Sequence, residues 1–276
     1  MIKAYLQIIR PLNILISTSC VILTALIFNK LSYQLIPLII VIACIASFAN
    51  IINDVFDYEV DKKNKPNRPI SSGLIKFKSA LILCCLLLVI TTIIIFYYDF
   101  NAISKILILG INLPLIIFYT PFFKNIPFIG NIIIAFILSM VFIVSTIYLE
   151  GDIFKIIPPS ILAFLLMLIR EIVKDVADYE GDKDLKINTF PVVYGIANTI
   201  KLVLTLVSIL ILTSFLFTSF YNIVYLYSII FLVDIPLLYF SIKLFKNPHP
   251  NYCKYFEKVL KLLTIFGVIV IYLSII

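Results

Sequence analysis

Apolar runs long enough to cross a lipid bilayer fill most of this chain, and that fact alone leaves almost no soluble fold open to it. They can be laid at roughly 12–29, 33–53, 79–98, 103–119, 127–149, 153–173, 198–220, 222–245 and 259–276. Hydrophobic residues make up 62% of the 276 and charged residues 13%, far from the balance of a soluble globular domain. Backbone groups in hydrocarbon must satisfy one another, so such runs fold as helices. The expectation is an all-α polytopic membrane protein of about nine helices, forming one domain over 1–276. The first run has little basic flank and no small-residue cleavage pattern, so it reads as a retained helix rather than a removed signal.

Charge placement orients the chain, because Lys and Arg accumulate in loops that stay in the cytoplasm. Of the 22 basic residues, 15 fall at the N-terminus or in four polar segments, about 54–78, 120–126, 174–197 and 246–258. On the nine-span reading the other side has only Lys30, Lys105 and Lys155. The N-terminus and the polar segments are therefore expected on the cytoplasmic side of the cell membrane and the C-terminus outside. The net charge of +7 is this bias, and gives no argument for nucleic-acid binding. Cys20, Cys44, Cys84 and Cys85 lie in apolar runs without metal-ligand spacing. His249, in a His-Pro-Asn turn, makes histidine chemistry improbable.

One acidic phrase is written twice, as Asp-Val-Phe-Asp-Tyr-Glu-Val-Asp-Lys at 54–62 and Asp-Val-Ala-Asp-Tyr-Glu-Gly-Asp-Lys at 175–183. Each copy ends an apolar run. At about 100° per residue, Asp54, Asp57 and Asp61 share one stripe of a helix, and Asp175, Asp178 and Asp182 repeat it. Stacked carboxylates repel one another unless a cation sits between them, and hard, oxygen-liking cations are the natural candidates. Asn50 and Asn53 extend the first stripe with amide oxygens; Glu171 and Lys174 take those places in the second. Two facing clusters suit two Mg²⁺ ions and a polyanionic ligand. The repetition also points to two pseudo-equivalent halves of roughly four helices, with a last helix added.

Cationic residues accompany the acids. The loop Lys-Asn-Lys-Pro-Asn-Arg-Pro-Ile-Ser-Ser-Gly at 63–73 cannot be a continuous helix, and its Arg68 offers a bidentate fork to phosphate. Lys62, Lys63 and Lys65 read as orienting charges. Lys124 and Tyr119 read either as groups that reach a diphosphate and its bridging oxygen or as anchors at the membrane interface. Arg170 lies about a turn inside the membrane boundary and requires an anionic partner there. Arg10 and Asn13 open the first run; Asn13 there would face a cavity, and helix capping or anchoring on the positive side explains Arg10 as simply.

The two phrases, with Asn-Arg-Pro-Ile-Ser-Ser-Gly at 67–73, the Tyr119 to Lys124 link and Thr-Phe-Pro-Val-Val-Tyr-Gly at 189–195, resemble the UbiA superfamily of intramembrane prenyltransferases. The resemblance implies nine helices around a central cavity, capped on the cytoplasmic side. It implies that Asn53, Asp54, Asp57, Asp61, Asp175, Asp178 and Asp182 hold Mg²⁺, and that Asn50, Asn53, Arg68, Lys124, Arg170 and Lys174 hold the diphosphate of a prenyl donor. The six aspartates and Tyr119 are the expected catalytic set. Arg10 and Asn13 are expected near a lipid-like phosphate acceptor, and membrane lipid surrounds the whole. Within the superfamily the phrases are most like the archaeal ether-lipid branch. That implies transfer of a geranylgeranyl group from its diphosphate to the hydroxyl of geranylgeranylglyceryl phosphate. Other branches use aromatic quinone precursors as acceptors. A cation transporter built on the repeat is the alternative from another class, and it would place its acids near the bilayer midplane rather than at span ends.

Overall fold

The structure, a computed structural model, describes residues 2–98 and 100–275, with the side chains of Lys63 and Asn64 outside the described set. Its helices are α1 Ile2–Ile9, α2 Pro11–Ile27, α3 Ile36–Phe56, α4 Tyr58–Asn64, α5 Phe77–Tyr97, α6 Ala102–Phe123, α7 Ile129–Tyr148, α8 Ile153–Ala177, α9 Tyr179–Asp184, α10 Phe190–Tyr194, α11 Ile196–Phe220, α12 Ile223–Lys246 and α13 Pro250–Leu273. No strand occurs among the described residues. Seven helices are long and apolar enough to cross a membrane, and eight spans result if α1 and α2, bent by 50°, count as one. The chain is therefore a multi-pass membrane protein. Nine spans are not reached by this measure among the described residues. The expected last run, 259–276, is the later part of a longer helix, α13, whose Lys254, Glu257, Lys258 and Lys261 interrupt the apolar sequence. His249 caps that helix, its Nδ1 accepting from the Asn251 N–H at 3.2 Å.

The described residues fall into two compact units, Met1–Phe122 with Val144–Gly151, and Phe123–Ile143 with Asp152–Ile276. In the first, α3 packs against α1, α2 and α5, burying Leu38, Val41, Phe48, Ile51 and Val55 along one helical face. Asn50 and Asp54 near the end of α3, and Asp57 and Asp61 just beyond it, are buried as well. Helix α5 shows the lipid side of the arrangement. Ala80, Cys84, Thr91 and Ile95 are buried, while Ile82, Leu86, Val89, Ile93 and Phe96 form an exposed stripe at the same spacing. In the second unit α8 is central. Its Leu165, Ile169, Ile172 and Val176 pack in one core with Val203 and Leu210 of α11 and Phe256, Leu260 and Leu263 of α13.

Two spans contain a widened turn at matching places. Ile106–Asn112 in α6 and Ile230–Asp234 in α12 are π-helical, and each is followed by a proline two residues after its last member, Pro114 and Pro236. A proline lacks the N–H of the normal ladder and its ring crowds the carbonyl four residues back, so widening the preceding turn relieves both problems. The residues ending these turns, Asn112 and Asp234, are 7% and 4% exposed, and each has a buried oxygen with no hydrogen-bond partner. Their separation differs by one residue from that of the acidic phrases, so the repeat extends through the fold beyond those phrases.

Asp234 accepts from the Ser214 hydroxyl at 2.9 Å, and Tyr225 donates to the Ser214 carbonyl at 3.1 Å. Because an amide occupies the equivalent place in the first half, a hydrogen-bonding group rather than a charge is what the site requires. Asp234→Asn is expected to melt within about 1 kcal/mol of the parent in detergent, whereas Asp234→Leu loses about 1–3 kcal/mol by stranding its partners. Equal destabilisation by both variants, measured by thermal unfolding, would show that the negative charge itself is needed.

Candidate active site

Both acidic phrases fold the same way. Helix α3 ends at Phe56, Asp57 adopts φ −83° and ψ 8°, and α4 starts at Tyr58; helix α8 ends at Ala177, Asp178 adopts φ −97° and ψ 5°, and α9 starts at Tyr179. The expected uninterrupted stripe is thus corrected to two helices meeting at the middle aspartate. The reason is local: ψ near zero at one residue ends the span where it leaves the apolar layer. The chain on either side stays bonded, Asp57 N–H to the Asn53 carbonyl at 2.9 Å and Asp61 N–H to the Asp57 carbonyl at 2.7 Å.

The first phrase is wrapped by guanidinium groups. Arg10 and Arg68 both donate to Asp54 Oδ1, Arg68 at 2.8 Å, and Arg68 also donates to Asp61 Oδ2. Asp54, Asp57 and Asp61 are only 3%, 6% and 4% exposed, so their charge is taken out of water and the ion pairs are what make that burial tolerable. Burial pushes the Asp61 carboxyl above its ordinary range, and the Arg68 guanidinium draws it back down. Arg10 reaches Asp54 from the break between α1 and α2, where it takes the left-handed φ of 54°. A non-glycine residue pays about 1–2 kcal/mol for that conformation, and its bond to Asp54 is one return on it. The break is further held by Asn50, whose Nδ2 donates to the Ile9 carbonyl at 2.9 Å while its Oδ1 accepts from Asn13 at 3.1 Å. Asn13 and Asn50 therefore face each other, and these bonds tie the end of α1 and the start of α2 to α3.

Asn53 is oriented by a residue that sequence reasoning passed over. Thr120 donates its hydroxyl to Asn53 Oδ1 at 2.8 Å. The expected polar link after Tyr119 is here the π-helical end of α6, Tyr119–Phe123, which carries Thr120 to Asn53. Tyr119 itself is half-buried one residue before it. Beyond this turn, Lys124 is also half-buried, and a Cβ on Gly130 would lie 3.0 Å from the Phe123 carbonyl and 3.3 Å from Lys124 Cα, so only glycine lets the chain fold back so closely.

The second phrase has different neighbours. Asn131, buried on α7, donates to Asp175 Oδ2 at 2.7 Å. Glu171 accepts from Arg170 at 2.8 Å and from Lys174 at 2.9 Å, and Arg170 also donates to Glu257 of α13 at 3.1 Å. The anionic partner required by Arg170 is thus supplied by the protein's own glutamates. Asp182 is 6% exposed and Asp178 half-buried. Asp182 N–H donates to the Asp178 carbonyl at 3.0 Å, as Asp61 N–H does to that of Asp57 in the first phrase, and the Lys63 side chain lies outside the described residues. Glu257 was missed because it lies in a charged helix half that had been read as a loop, and Asn131 because a lone amide in an apolar run carries no spacing signal.

Among the described residues no three His, Cys, Asp or Glu side chains are gathered as a metal cage. By donor chemistry the first phrase nevertheless fits a hard divalent cation: it offers carboxylate and amide oxygens, and a guanidinium bridges Asp54 and Asp61 in the manner of a cation between them.

The model of the UbiA prenyltransferase family matches residues 14–265. A digeranylgeranylglyceryl phosphate synthase from Thermococcus sibiricus is 34% identical over 266 residues, covering 95% of this chain and 93% of that protein. A solved structure concerned with digeranylgeranylglyceryl phosphate synthase in membranes superposes with a TM-score of 0.77 at 27% identity, over 99% of this chain and 98% of the other. A UbiA homolog from Archaeoglobus fulgidus, solved bound to GPP and Mg²⁺, has the same fold at 21% identity, with a TM-score of 0.72 over 98% of this chain and 99% of that one. A match spanning almost all of the helices that carry both acidic phrases, together with a relative aligned from end to end, places the chain in the UbiA prenyltransferase family.

Proposed function

We propose that this chain transfers a geranylgeranyl group from geranylgeranyl diphosphate to the free hydroxyl of geranylgeranylglyceryl phosphate, releasing diphosphate and forming digeranylgeranylglyceryl phosphate. The observation that carries the reading is the pair of acidic phrases, each interrupted at its middle aspartate. The relatives named above supply the choice of substrates, and the homolog bound to GPP and Mg²⁺ supports a prenyl diphosphate donor and dependence on that ion.

Asn53, Asp54, Asp57 and Asp61, with Asp175, Asp178 and Asp182, would hold the Mg²⁺, two ions on this reading. Bound there, the metal neutralises charge on the diphosphate as it leaves. Arg68 and Lys124 share that negative charge, Arg68 turning from Asp54 and Asp61 to phosphate oxygens, with Arg170 and Lys174 adding to the field around the second phrase. Tyr119 donates to the oxygen that bridges carbon and phosphorus. The C1–O bond breaks with its electron pair going to diphosphate, and the acceptor oxygen closes on the allylic carbon in surroundings that exclude water. That oxygen becomes strongly acidic once bonded, so its proton can pass to diphosphate or to a carboxylate without a strong base. Arg10 and Asn13 are the candidates for the acceptor phosphate, Arg10 exchanging Asp54 for that anion. The phrases and their basic loops lie on the cytoplasmic side, as the distribution of lysine and arginine supports.

The test is transfer of labelled geranylgeranyl by purified protein in detergent. Product from geranylgeranylglyceryl phosphate, abolished by EDTA, is expected, and product from 4-hydroxybenzoate alone would keep the chemistry but replace the acceptor. Asp57→Ala and Asp178→Ala should each lower the rate by roughly 10²-fold or more, on the scale of losing one stabiliser of transition-state charge. Full activity in either variant would overturn the assignment. Thr120→Val, which leaves every carboxylate in place, should raise the Mg²⁺ concentration needed for half-maximal rate several-fold while the rate at saturating Mg²⁺ changes less. A rate loss that excess Mg²⁺ does not restore would argue against an orienting role through Asn53.

A further inference from the structure

A pocket of about 1090 Å³ opens at the other end of the first unit, between the turn before α3 and the ends of α5 and α7. Helix α3 runs from Ile36, in the pocket wall, to Phe56 beside the first acidic phrase. At 1.5 Å per residue those ends lie about 30 Å apart, the thickness of a hydrocarbon layer. The pocket is therefore at head-group depth on the membrane face away from the acids.

Its construction is two-sided. Ile36, Ile40 and Ile94 form an apolar wall along the spans, whereas the rim carries Lys30, Glu150 and four tyrosines, Tyr33, Tyr97, Tyr98 and Tyr148. The rim is fixed in place. The Lys30 ammonium donates to the carbonyls of Leu149 and Glu150, Tyr148 donates to the Gln34 carbonyl at 2.8 Å, and Gly151 is pressed so closely on the Phe28 ring that a Cβ there would lie 2.6 Å from it. Tyr33 and Tyr97 are 80% and 75% exposed, so their rings stand open to whatever fills the space. An aromatic rim with a cation at the mouth and an apolar wall below matches an amphiphile standing along the spans, its chain on the isoleucines and its polar end among hydroxyl and ammonium donors.

We propose that this pocket binds the phosphodiester head group of a membrane lipid in the leaflet away from the acidic phrases. Lys30 is the charged donor and the hydroxyls of Tyr33, Tyr97 and Tyr98 are the neutral ones, while the lipid's first chain carbons lie on Ile40 and Ile94. A water-soluble partner would leave that wall uncovered.

The chain contains no tryptophan, so a single introduced one reports its own surroundings. Tyr97→Trp places a reporter at the rim, and Phe231→Trp places a control on α12, where Phe231 is 65% exposed. Each purified variant would be titrated in detergent with phosphatidylglycerol bearing brominated chains, which quench tryptophan on contact, and with diacylglycerol bearing the same chains. Saturable quenching by the phospholipid at Tyr97→Trp is expected, about tenfold tighter than at Phe231→Trp and about tenfold tighter than with diacylglycerol. Adding Lys30→Gln to the rim reporter should weaken it about fivefold. Should that variant fail to fold, adding Ile40→Phe instead fills the wall, leaves Lys30 in place, and should weaken quenching to a similar degree. Identical curves at rim and control would reduce the feature to a belt of interfacial tyrosines and overturn the proposal, as would equal quenching by diacylglycerol.

Discussion

Negative charge buried at the end of an apolar helix is the constraint around which the first unit is arranged. Asp54, Asp57 and Asp61 lie where the chain leaves the apolar layer, nearly inaccessible to water. Removing such groups from water costs several kcal/mol each unless cations and hydrogen bonds replace the solvent. Two otherwise unrelated features answer that requirement. The left-handed break at Arg10 brings one guanidinium to Asp54, and the proline-interrupted loop after α4 brings Arg68 back onto Asp54 and Asp61. A ligand that displaced Arg68 would have to supply equivalent positive charge, which connects the ion pairs seen here to the cation binding proposed.

The second phrase shows how a duplicated motif diverges while keeping its backbone. The span ends, the aspartate interruption and the short following helix are repeated, yet the residues that satisfy the acids differ. The first copy draws on Arg10, far back in the sequence, and on Arg68 in the loop that follows it. In the second, Glu171 is paired with Arg170 and Lys174 on its own helix, and Asp175 is held by an amide from α7. The mid-span pair Asn112 and Asp234 follows the same rule: the widened turn and the proline persist, and the polar group changes from amide to acid.

Periodicity and composition made the helices legible, because hydrocarbon permits few other structures and the apolar runs are long. The acidic phrases were legible through their repetition. What could not be read was anything set by contact between distant residues. Thr120 carries no signal until the end of α6 brings it to Asn53, and Arg170 could be seen to need an anion without showing that Glu257 provides it. The first half of the last helix reads as a polar segment because it is rich in charge, whereas in the fold Phe256, Leu260 and Leu263 carry one face of that helix into the core. The Asn-Leu-Pro and Asp-Ile-Pro echo was visible in the sequence. Three residues are too few to stand out until the matching turns are seen.

The interruption at the middle aspartate sets the acids of each phrase in different backbone surroundings. Asp54 and Asp175 sit in the last turn of their spans, where unpaired carbonyls give a helix end partial negative character and make a carboxylate unfavourable. Asp61 and Asp182 sit in the first turn of the helix that follows, where unpaired N–H groups favour one. Ending one helix and starting another at Asp57 or Asp178 therefore places one carboxylate in an environment that demands a cation beside one in an environment that tolerates its charge. A continuous helix would give the later acids no such N-terminus. Local backbone geometry thus produces an uneven field from a stripe of identical side chains, with the greatest need for positive charge at the membrane boundary. In the first unit that need is met at Asp54, where both Arg10 and Arg68 converge.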